Sequence, residues 1–217
     1  MNHRPFTLAQ VRPIRNAMTV SRPAGLGADV PVTWFSMGAG TSITPESYDC
    51  TTLYLCGEGQ GAFVLDQDGH TVPFSSGQIL AVPPKTLCGS QTADGMIYTE
   101  IILKKETFTM NSILKAGQPT ALKDLISYEE GSIANLDVVH ADNMKFVLMA
   151  FDEGTGLTPH RAPGNAILTA LEGNAIIGYE GQDHLLHAGE SFRFDKNGLH
   201  SVTAQGKFKM SLLLVIE

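Results

Sequence analysis

Imidazole and thiol groups are the side chains of this chain best suited to chemistry. Seven histidines and three cysteines occur among its 217 residues. A histidine ring can bind a metal, transfer a proton near neutral pH or hydrogen-bond a ligand. The signatures of other chemistries are missing from the sequence: it has no carboxylate pair at glycosidase-like spacing, no GxSxG motif and no phosphate-binding glycine loop before a helix. The histidines are therefore the first candidates for a functional site.

The cysteines and the overall charge limit the compartment and the partners. The chain has an odd number of cysteines, Cys50, Cys56 and Cys88, which lie in its first half and show no CxxC spacing. This pattern argues against a disulfide framework or a zinc finger, and it predicts a reducing cytoplasm. A formal net charge of −7 argues against nucleic acid as a partner. No apolar run approaches the ~18 residues of a membrane helix. The sequence predicts a cytoplasmic protein that binds neither nucleic acid nor membrane.

The chain repeats itself at an offset of 114 residues, from about Phe6 to His70, and at an offset of 112 further on. The matched residues are mostly turn formers: Gly40 aligns with Gly154, Glu58-Gly59 with Glu172-Gly173, and Gly77 with Gly189. The repeat predicts two domains, 1–115 and 116–217, with a boundary in the polar, Gly- and Pro-containing segment 115–119.

Strand signals dominate both copies. Short runs rich in β-formers are separated by Gly, Pro, Asp and Ser clusters. They fall at 32–37, 53–55, 62–65, 79–82 and 97–103, and again at 145–151, 166–171, 175–179, 191–194 and 208–216. Helical periodicity is confined to 7–11 and 121–126. Many short strands with little helix predict an all-β sandwich or barrel.

The second copy carries the motifs of a known superfamily. It reads GTGLTPH at 154–160, LEG at 171–173, GESFRFD at 189–195, and then His200. This resembles the two sequence motifs of the cupins, and because the resemblance extends over both copies, the chain resembles a bicupin. The resemblance implies an all-β fold: two tandem double-stranded β-helix (jelly-roll) barrels with a few short helices.

The resemblance also implies where a metal would bind. Metal-binding cupins place two histidines and a carboxylate in the first motif and a third histidine in the second; residues two or four apart on one strand face the same side. In this chain His160 and His200 occupy the first and last of these positions, whereas Ala162 and Ala166 occupy the other two. Half of the expected ligand set is missing, and a catalytic metal usually has at least three protein ligands.

The first copy departs further from the pattern. The four matching positions are Glu46, Tyr48, Thr52 and Cys88, a set that corresponds to no common metal site. We expect the N-terminal barrel to be a degenerate partner with a filled interior, in which Cys88 is a small core residue.

These substitutions predict a pocket in the second barrel. Ala162, Ala166 and Leu168 should form an apolar wall beside His160 and His200, and such pockets typically bind small organic molecules. This favours a bicupin that binds a small organic ligand in its C-terminal barrel, with no catalytic residue assigned.

The alternative function is that of a metal-dependent cupin enzyme of the dioxygenase, isomerase or decarboxylase type. His160 and His200 would hold a divalent zinc, nickel, iron or manganese ion, and His140 or a substrate atom would complete the coordination. His184 and His187 are predicted to be surface histidines. The resemblance also implies a homodimer, because cupins often dimerise through edge strands.

Overall fold

A computed structural model describes residues 3–66, 68–103 and 108–216. The chain forms two compact units. Residues 8–103 and 112–121 belong to the N-terminal unit, and residues 3–7, 108–111 and 122–216 belong to the C-terminal unit. The boundary predicted after residue 115 falls inside the segment 112–121. That segment groups with the first unit because it carries a short strand that pairs there, whereas 108–111 pairs with the second unit.

The N-terminal unit is a nine-stranded antiparallel sheet structure. Its strands are β1 Thr19–Pro23, β2 Val32–Met37, β3 Thr41–Glu46, β4 Thr51–Leu65, β5 His70–Ser75, β6 Gln78–Val82, β7 Cys88–Thr92, β8 Met96–Leu103 and β10 Thr120–Ala121. The short helix α1, Leu8–Val11, precedes them. Strand β4 is central: its first half pairs with β6 and β8, and its second half pairs with β5 and β7.

The C-terminal unit repeats this arrangement with eight strands. They are β9 Phe108–Met110, β11 Ile133–Ala141, β12 Met144–Phe151, β13 Gly156–Arg161, β14 Gly164–Tyr179, β15 Gln182–His187, β16 Ser191–Phe194 and β17 Leu199–Ile216. A single 3₁₀ turn, Leu122–Leu125, precedes β11. Strand β14 has the role of β4, pairing with β15, β16 and β17. The predicted all-β fold with a few short helices is confirmed.

Several strands are longer than the sequence predicts. The runs 53–55 and 62–65 are two halves of the continuous β4, and 166–171 and 175–179 are two halves of β14. Register shifts follow Cys56 in β4 and Ala170 in β14, so both strands bend there without ending. The glycine-rich segment 57–61, whose composition predicts a turn between strands, is therefore a bulge inside a strand.

Each unit encloses its own apolar core. In the N-terminal unit the core includes Tyr54, Phe63, Phe74 and Tyr98, and in the C-terminal unit it is built around aromatic rings of Phe151, Phe192, Phe194 and Phe208. Side chains alternate between the two faces of each strand, and some strands, such as β6 and β8, are buried on both faces. None of the helices in the described part of the chain has the length and hydrophobicity needed to cross a membrane.

Gly173 is predicted to be the more costly of two glycines to replace. It has φ +73°, and a Cβ atom there would collide with the carbonyl oxygen of Lys207. Gly181 has a similar φ of +82° but open space around it. Left-handed backbone costs an L-residue about 1–3 kcal/mol, so Gly181→Ala should lose that amount of unfolding free energy and Gly173→Ala clearly more. Urea unfolding of both variants measures the difference; equal losses would show that the collision is relieved at no cost.

Candidate functional site

His160 and His200 lie side by side on neighbouring strands. They are directly opposite each other in the register of β13 and β17, with ring centroids 4.3 Å apart. His200 is only 6% exposed and stacks on Phe194 at 4.2 Å between centroids. Along β17 it shares its face with the core residues Val202 and Ala204, so its ring points inward. His160 is exposed, and the pair therefore extends from the core to the solvent.

Backbone hydrogen bonds determine the tautomer of both rings. His160 Nδ1 lies 2.9 Å from the carbonyl oxygen of Thr158, and His200 Nδ1 lies 2.8 Å from that of Gly198. A carbonyl oxygen can only accept, so each Nδ1 carries the hydrogen and donates it. In the neutral form, both Nε2 atoms are then left with a free lone pair. The pair can accept hydrogen bonds or coordinate a cation through these nitrogens.

Burial lowers the pKa of His200 below its usual value. The hydrogen bond to the Gly198 carbonyl raises that pKa, and the neighbouring His160 lowers it. Because the unfolded chain, with a pKa near 6.5, takes up the proton more readily, protonation favours unfolding. We expect the unfolding free energy to include the whole contribution of the neutral His200 above pH 6.5 and to decrease as the pH falls below that value. Urea unfolding between pH 5 and 8 measures this decrease, which His200→Asn should reduce. The exposed His187 provides the control variant, His187→Asn; identical pH profiles for wild type and His200→Asn would contradict the assignment.

The three predicted apolar residues differ in their placement. Ala166 and Leu168 are 1% and 0% exposed, and they pair across β14 and β16 with Phe194 and Phe192. Ala162 is half-buried and packs against the same cluster. Ala166 and Leu168 thus belong to a closely packed aromatic core, and Ala162 is the one of the three that lies nearest the solvent.

Further metal ligands are not brought to the pair. Within residues 3–66, 68–103 and 108–216, no three His, Cys, Asp or Glu side chains are arranged to hold a metal ion. His140 is exposed on β11, where its Nδ1 lies 4.0 Å from a carboxylate oxygen of Asp137. Its described contacts do not include His160 or His200. The two imidazoles are therefore the donors that this site offers.

A recess in the same unit was not foreseen from the sequence. It has a volume of about 460 Å³, and Tyr179 of β14 forms part of its wall. Tyr179 is paired with His200 on one side of β17, and His160 is paired with His200 on the other side. His3 also lines the recess. Its ring centroid lies 4.6 Å from that of Tyr179, and its Nε2 lies 3.4 Å from a carboxylate oxygen of Asp195. His184 also lines it, half-buried at 5.1 Å from Phe192. The prediction of a surface role holds for His187, which is exposed, but His184 is partly enclosed.

The matching positions of the N-terminal unit show the same geometry with different chemistry. Glu46 and Cys88 are directly opposite each other on β3 and β7, as His160 and His200 are on β13 and β17. Cys88 is 9% exposed, and burial raises the pKa of its thiol to about 12, so it stays protonated. Tyr48 is half-buried, and Thr52, at the carboxylate position, is 1% exposed.

Sequence reasoning missed one buried acid in this unit. Glu100 on β8 is 7% exposed and lies directly opposite Tyr54 of β4, in the core of the N-terminal unit. Burial raises the pKa of its carboxyl, a hydrogen bond from Tyr54 lowers it, and the charge of Glu46 raises it. Alternation places Tyr98 and Glu100 on one face of β8, but both faces of that strand carry apolar residues, so the spacing does not show which face turns inward.

Comparison with known proteins agrees with this architecture. A cupin domain family matches residues 147–216. A cupin 2 conserved barrel domain protein from Leptotrichia buccalis is similar in structure, with a TM-score of 0.84, 24% identity, and coverage of 98% of this chain and 96% of that one. No curated protein matches the chain in sequence.

A second structural neighbour is an enzyme. Salicylate 1,2-dioxygenase from Pseudoaminobacter salicylatoxidans, in a structure with gentisate adducts, has a TM-score of 0.64 at 12% identity and covers 96% of this chain and 76% of its own. At such identities these likenesses show the fold alone. Residues 147–216 thus match a cupin domain family, and the chain as a whole has the cupin-barrel fold.

Proposed function

We propose that the protein binds a small hydroxyl-bearing organic molecule at the His160–His200 pair of the C-terminal barrel. The observation that carries this proposal is the pair itself: two adjacent imidazoles whose Nδ1 hydrogens are already donated to backbone carbonyls. In the neutral rings, the two Nε2 lone pairs would accept from a ligand, and they complement a group that donates a hydrogen bond.

The surroundings of the pair suit the body of such a ligand. Phe194 supports His200 from the core side, and Ala162 provides a half-buried apolar surface near the solvent. Sites that combine apolar walls with a few convergent polar groups are typical of small-molecule binding. Ala166 and Leu168 lie deeper and would form the floor below the ligand.

Salicylate and benzoate form a matched pair of probes. Only salicylate has a phenolic hydroxyl, from which the imidazoles would accept a hydrogen bond. Salicylate is also the substrate named for the dioxygenase neighbour. We expect salicylate to raise the melting temperature more than benzoate does, and His160→Ala to abolish the difference. His187→Ala, an exposed histidine of the same unit, is the control. An unchanged salicylate effect in His160→Ala would contradict the proposal, as would equal effects of the two probes in the wild type.

A second candidate function is that of a metal-dependent cupin enzyme of the dioxygenase, isomerase or decarboxylase type. It is favoured by the Nδ1 hydrogen bonds, since histidines that bind metals usually donate their other ring hydrogen to a neighbouring group. His160 and His200 would hold the zinc, nickel, iron or manganese ion, which would supply Lewis-acid or redox chemistry when bound. Ala162 and Ala166 add no donor, so this chain's residues fit a metal only in part.

Metal analysis distinguishes the two candidates. Protein purified without a histidine tag and dialysed under mild conditions should retain one metal per chain if the enzyme function is correct, and His160→Ala or His200→Ala should remove it. Clearly substoichiometric metal in the wild type would contradict the enzyme candidate and leave the organic-ligand proposal standing. The homodimer stays a prediction, which sedimentation equilibrium of the full chain would test.

A further inference from the structure

The interior of the N-terminal barrel contains a buried acid without a basic partner. Glu100 is 7% exposed, and in the part of the chain that the structure describes it forms no ion pair with a Lys, Arg or His. A buried carboxyl group is costly to the fold unless another group compensates it. Such a group is therefore a candidate for contact with something outside the chain.

The ionisable groups around Glu100 are acids as well. Burial raises the pKa of Tyr48, and the neighbouring acids Glu100, Glu46, Cys88 and Cys50 raise it further in that order. No basic residue is among these influences. The Tyr54 hydroxyl interacts with both Cys88 and Glu100, and burial together with these acids raises its pKa strongly. The thiol and phenol groups are neutral near pH 7, so the carboxyl groups of Glu100 and Glu46 are the ones that can carry charge here, and their charge complement is a cation.

Thr52 provides an independent sign of an unfilled contact. It is 1% exposed, and its Oγ1 has no hydrogen-bond partner in the structure. Thr52, Tyr54 and Cys56 alternate along β4 on one face, and the latter two belong to the barrel core, so the Thr52 hydroxyl is aimed into the same interior. It lies opposite Ile102, two residues from Glu100 on β8. Buried hydroxyls are usually hydrogen-bonded, and this one is free to receive a ligand atom.

Aromatic rings surround these polar groups. The Tyr54 ring centroid lies 4.5 Å from that of Phe63 and 5.8 Å from that of Tyr98, and Phe35 stacks on Tyr98 at 5.0 Å. Aromatic faces attract cations, most strongly where water is excluded. The combination of a buried carboxyl group that has no basic partner and aromatic rings is suited to an ammonium group attached to an apolar body.

The acidic interior also reaches the protein surface. Glu46 is exposed and Tyr48 is half-buried, yet both interact electrostatically with the buried Glu100. A charged ligand therefore has a second acid at the rim that would attract it towards the buried one.

We infer that the N-terminal barrel binds a small organic cation, with Glu100 as its counter-charge, Thr52 as an acceptor for its N–H group and Tyr54 and Tyr98 as part of its aromatic wall. The positions equivalent to Glu100, Thr52 and Tyr54 in the C-terminal barrel are Leu212, Ala166 and Leu168, so that barrel has no corresponding site. This inference departs from the expectation that the first barrel is a degenerate partner with a filled interior.

Isothermal titration of the full chain with benzylammonium tests the inference, with benzyl alcohol as its neutral counterpart of similar shape. We expect stoichiometric binding of benzylammonium, about tenfold or more tighter than that of benzyl alcohol. Glu100→Gln keeps the side-chain shape while removing the charge, and it should weaken benzylammonium binding about tenfold. Thr52→Val and Glu46→Gln should weaken it severalfold. Asp29→Asn, which removes an exposed negative charge from the same unit, should have no effect.

Other outcomes would overturn the inference. Equal affinities for benzylammonium and benzyl alcohol would show that Glu100 does not act as a counter-charge for the ligand. Wild-type affinity for benzylammonium in a folded Glu100→Gln variant would show the same. If Glu100→Gln fails to fold, Glu46→Gln at the exposed rim decides the same point. Stoichiometric binding of Zn²⁺ that Cys88→Ser abolishes would assign the site to a metal. His160→Ala should leave benzylammonium binding unchanged, so this test is separate from that of the C-terminal pair.

Discussion

Ala162→His combined with Ala166→Glu is expected to give the C-terminal barrel tight binding of a divalent metal. Both alanines pack against the core cluster that also contacts the His160–His200 pair, so the new donors would converge with the two existing imidazoles. Four-ligand zinc sites are worth about 10–16 kcal/mol, or roughly a hundredfold or more in affinity for each ligand. The double variant should therefore bind Zn²⁺ about 10⁴-fold more tightly than the wild type, as measured by competition with a chelator dye.

Two further variants, one single and one double, serve as controls for this gain. Ala162→His alone should give an intermediate affinity, and combining it with Ala166→Gln, which matches glutamate in size, should give little more. The carboxylate at position 166 would enter a buried site beside Phe194, so thermal unfolding without metal should show a loss of stability that Zn²⁺ restores. An unchanged Zn²⁺ affinity in the folded double variant would mean that these positions do not face the histidine pair.

The repeat could be detected from the sequence because backbone geometry restricts its turns. Three matched glycine pairs illustrate the reason: Gly40 and Gly154 have φ of +69° and +77°, Gly59 and Gly173 +75° and +73°, and Gly77 and Gly189 +82° and +87°. Left-handed backbone favours glycine strongly, so these residues stay recognisable when most others differ. The adjacency of His160 and His200 has a similar basis, because it is determined by the pairing of β13 with β17.

Strand ends were harder to predict, for a reason seen in β4. Its sequence from Gly57 to Gly61 has the composition of a turn, and such a segment predicts the end of a strand. In the structure the bulge after Cys56 and the positive φ of Gly59 bend the strand and let it pair with new partners. Which of these outcomes occurs depends on the strands available for pairing, which the local sequence does not specify.

The chemistry of the two barrel interiors was equally hidden from the sequence. Strand β8 is apolar on both faces, with Ile97 and Ile101 on one and Met96 and Tyr98 on the other. Alternation therefore leaves open which face turns inward, and Glu100 in such a strand is normally read as solvent-exposed. Only the pairing of Glu100 with Tyr54 inside the core shows that the N-terminal barrel is the acidic one.

Phe194→Ala is expected to cost about 3–5 kcal/mol of unfolding free energy, the usual loss for a buried phenylalanine. Phe194 is 1% exposed, and its ring contacts Phe192 at 5.2 Å, Tyr179 at 5.8 Å and His200 at 4.2 Å between centroids. Urea unfolding measures the loss. A cost below about 1 kcal/mol would show that the core rearranges to fill the cavity.

Phe194 also positions the histidine pair, and this role can be separated from its packing. Removing its ring opens His200 to water, so the burial that lowers the pKa of His200 should weaken and that pKa should rise toward 6.5. Phe208→Ala is the matched control, because Phe208 is 0% exposed and contacts Phe151, not His200. NMR titration of the His200 ring protons in the two folded variants should show a higher pKa only in Phe194→Ala. The same shift in both would mean that general loosening of the core, and not the stacked ring, controls the imidazole.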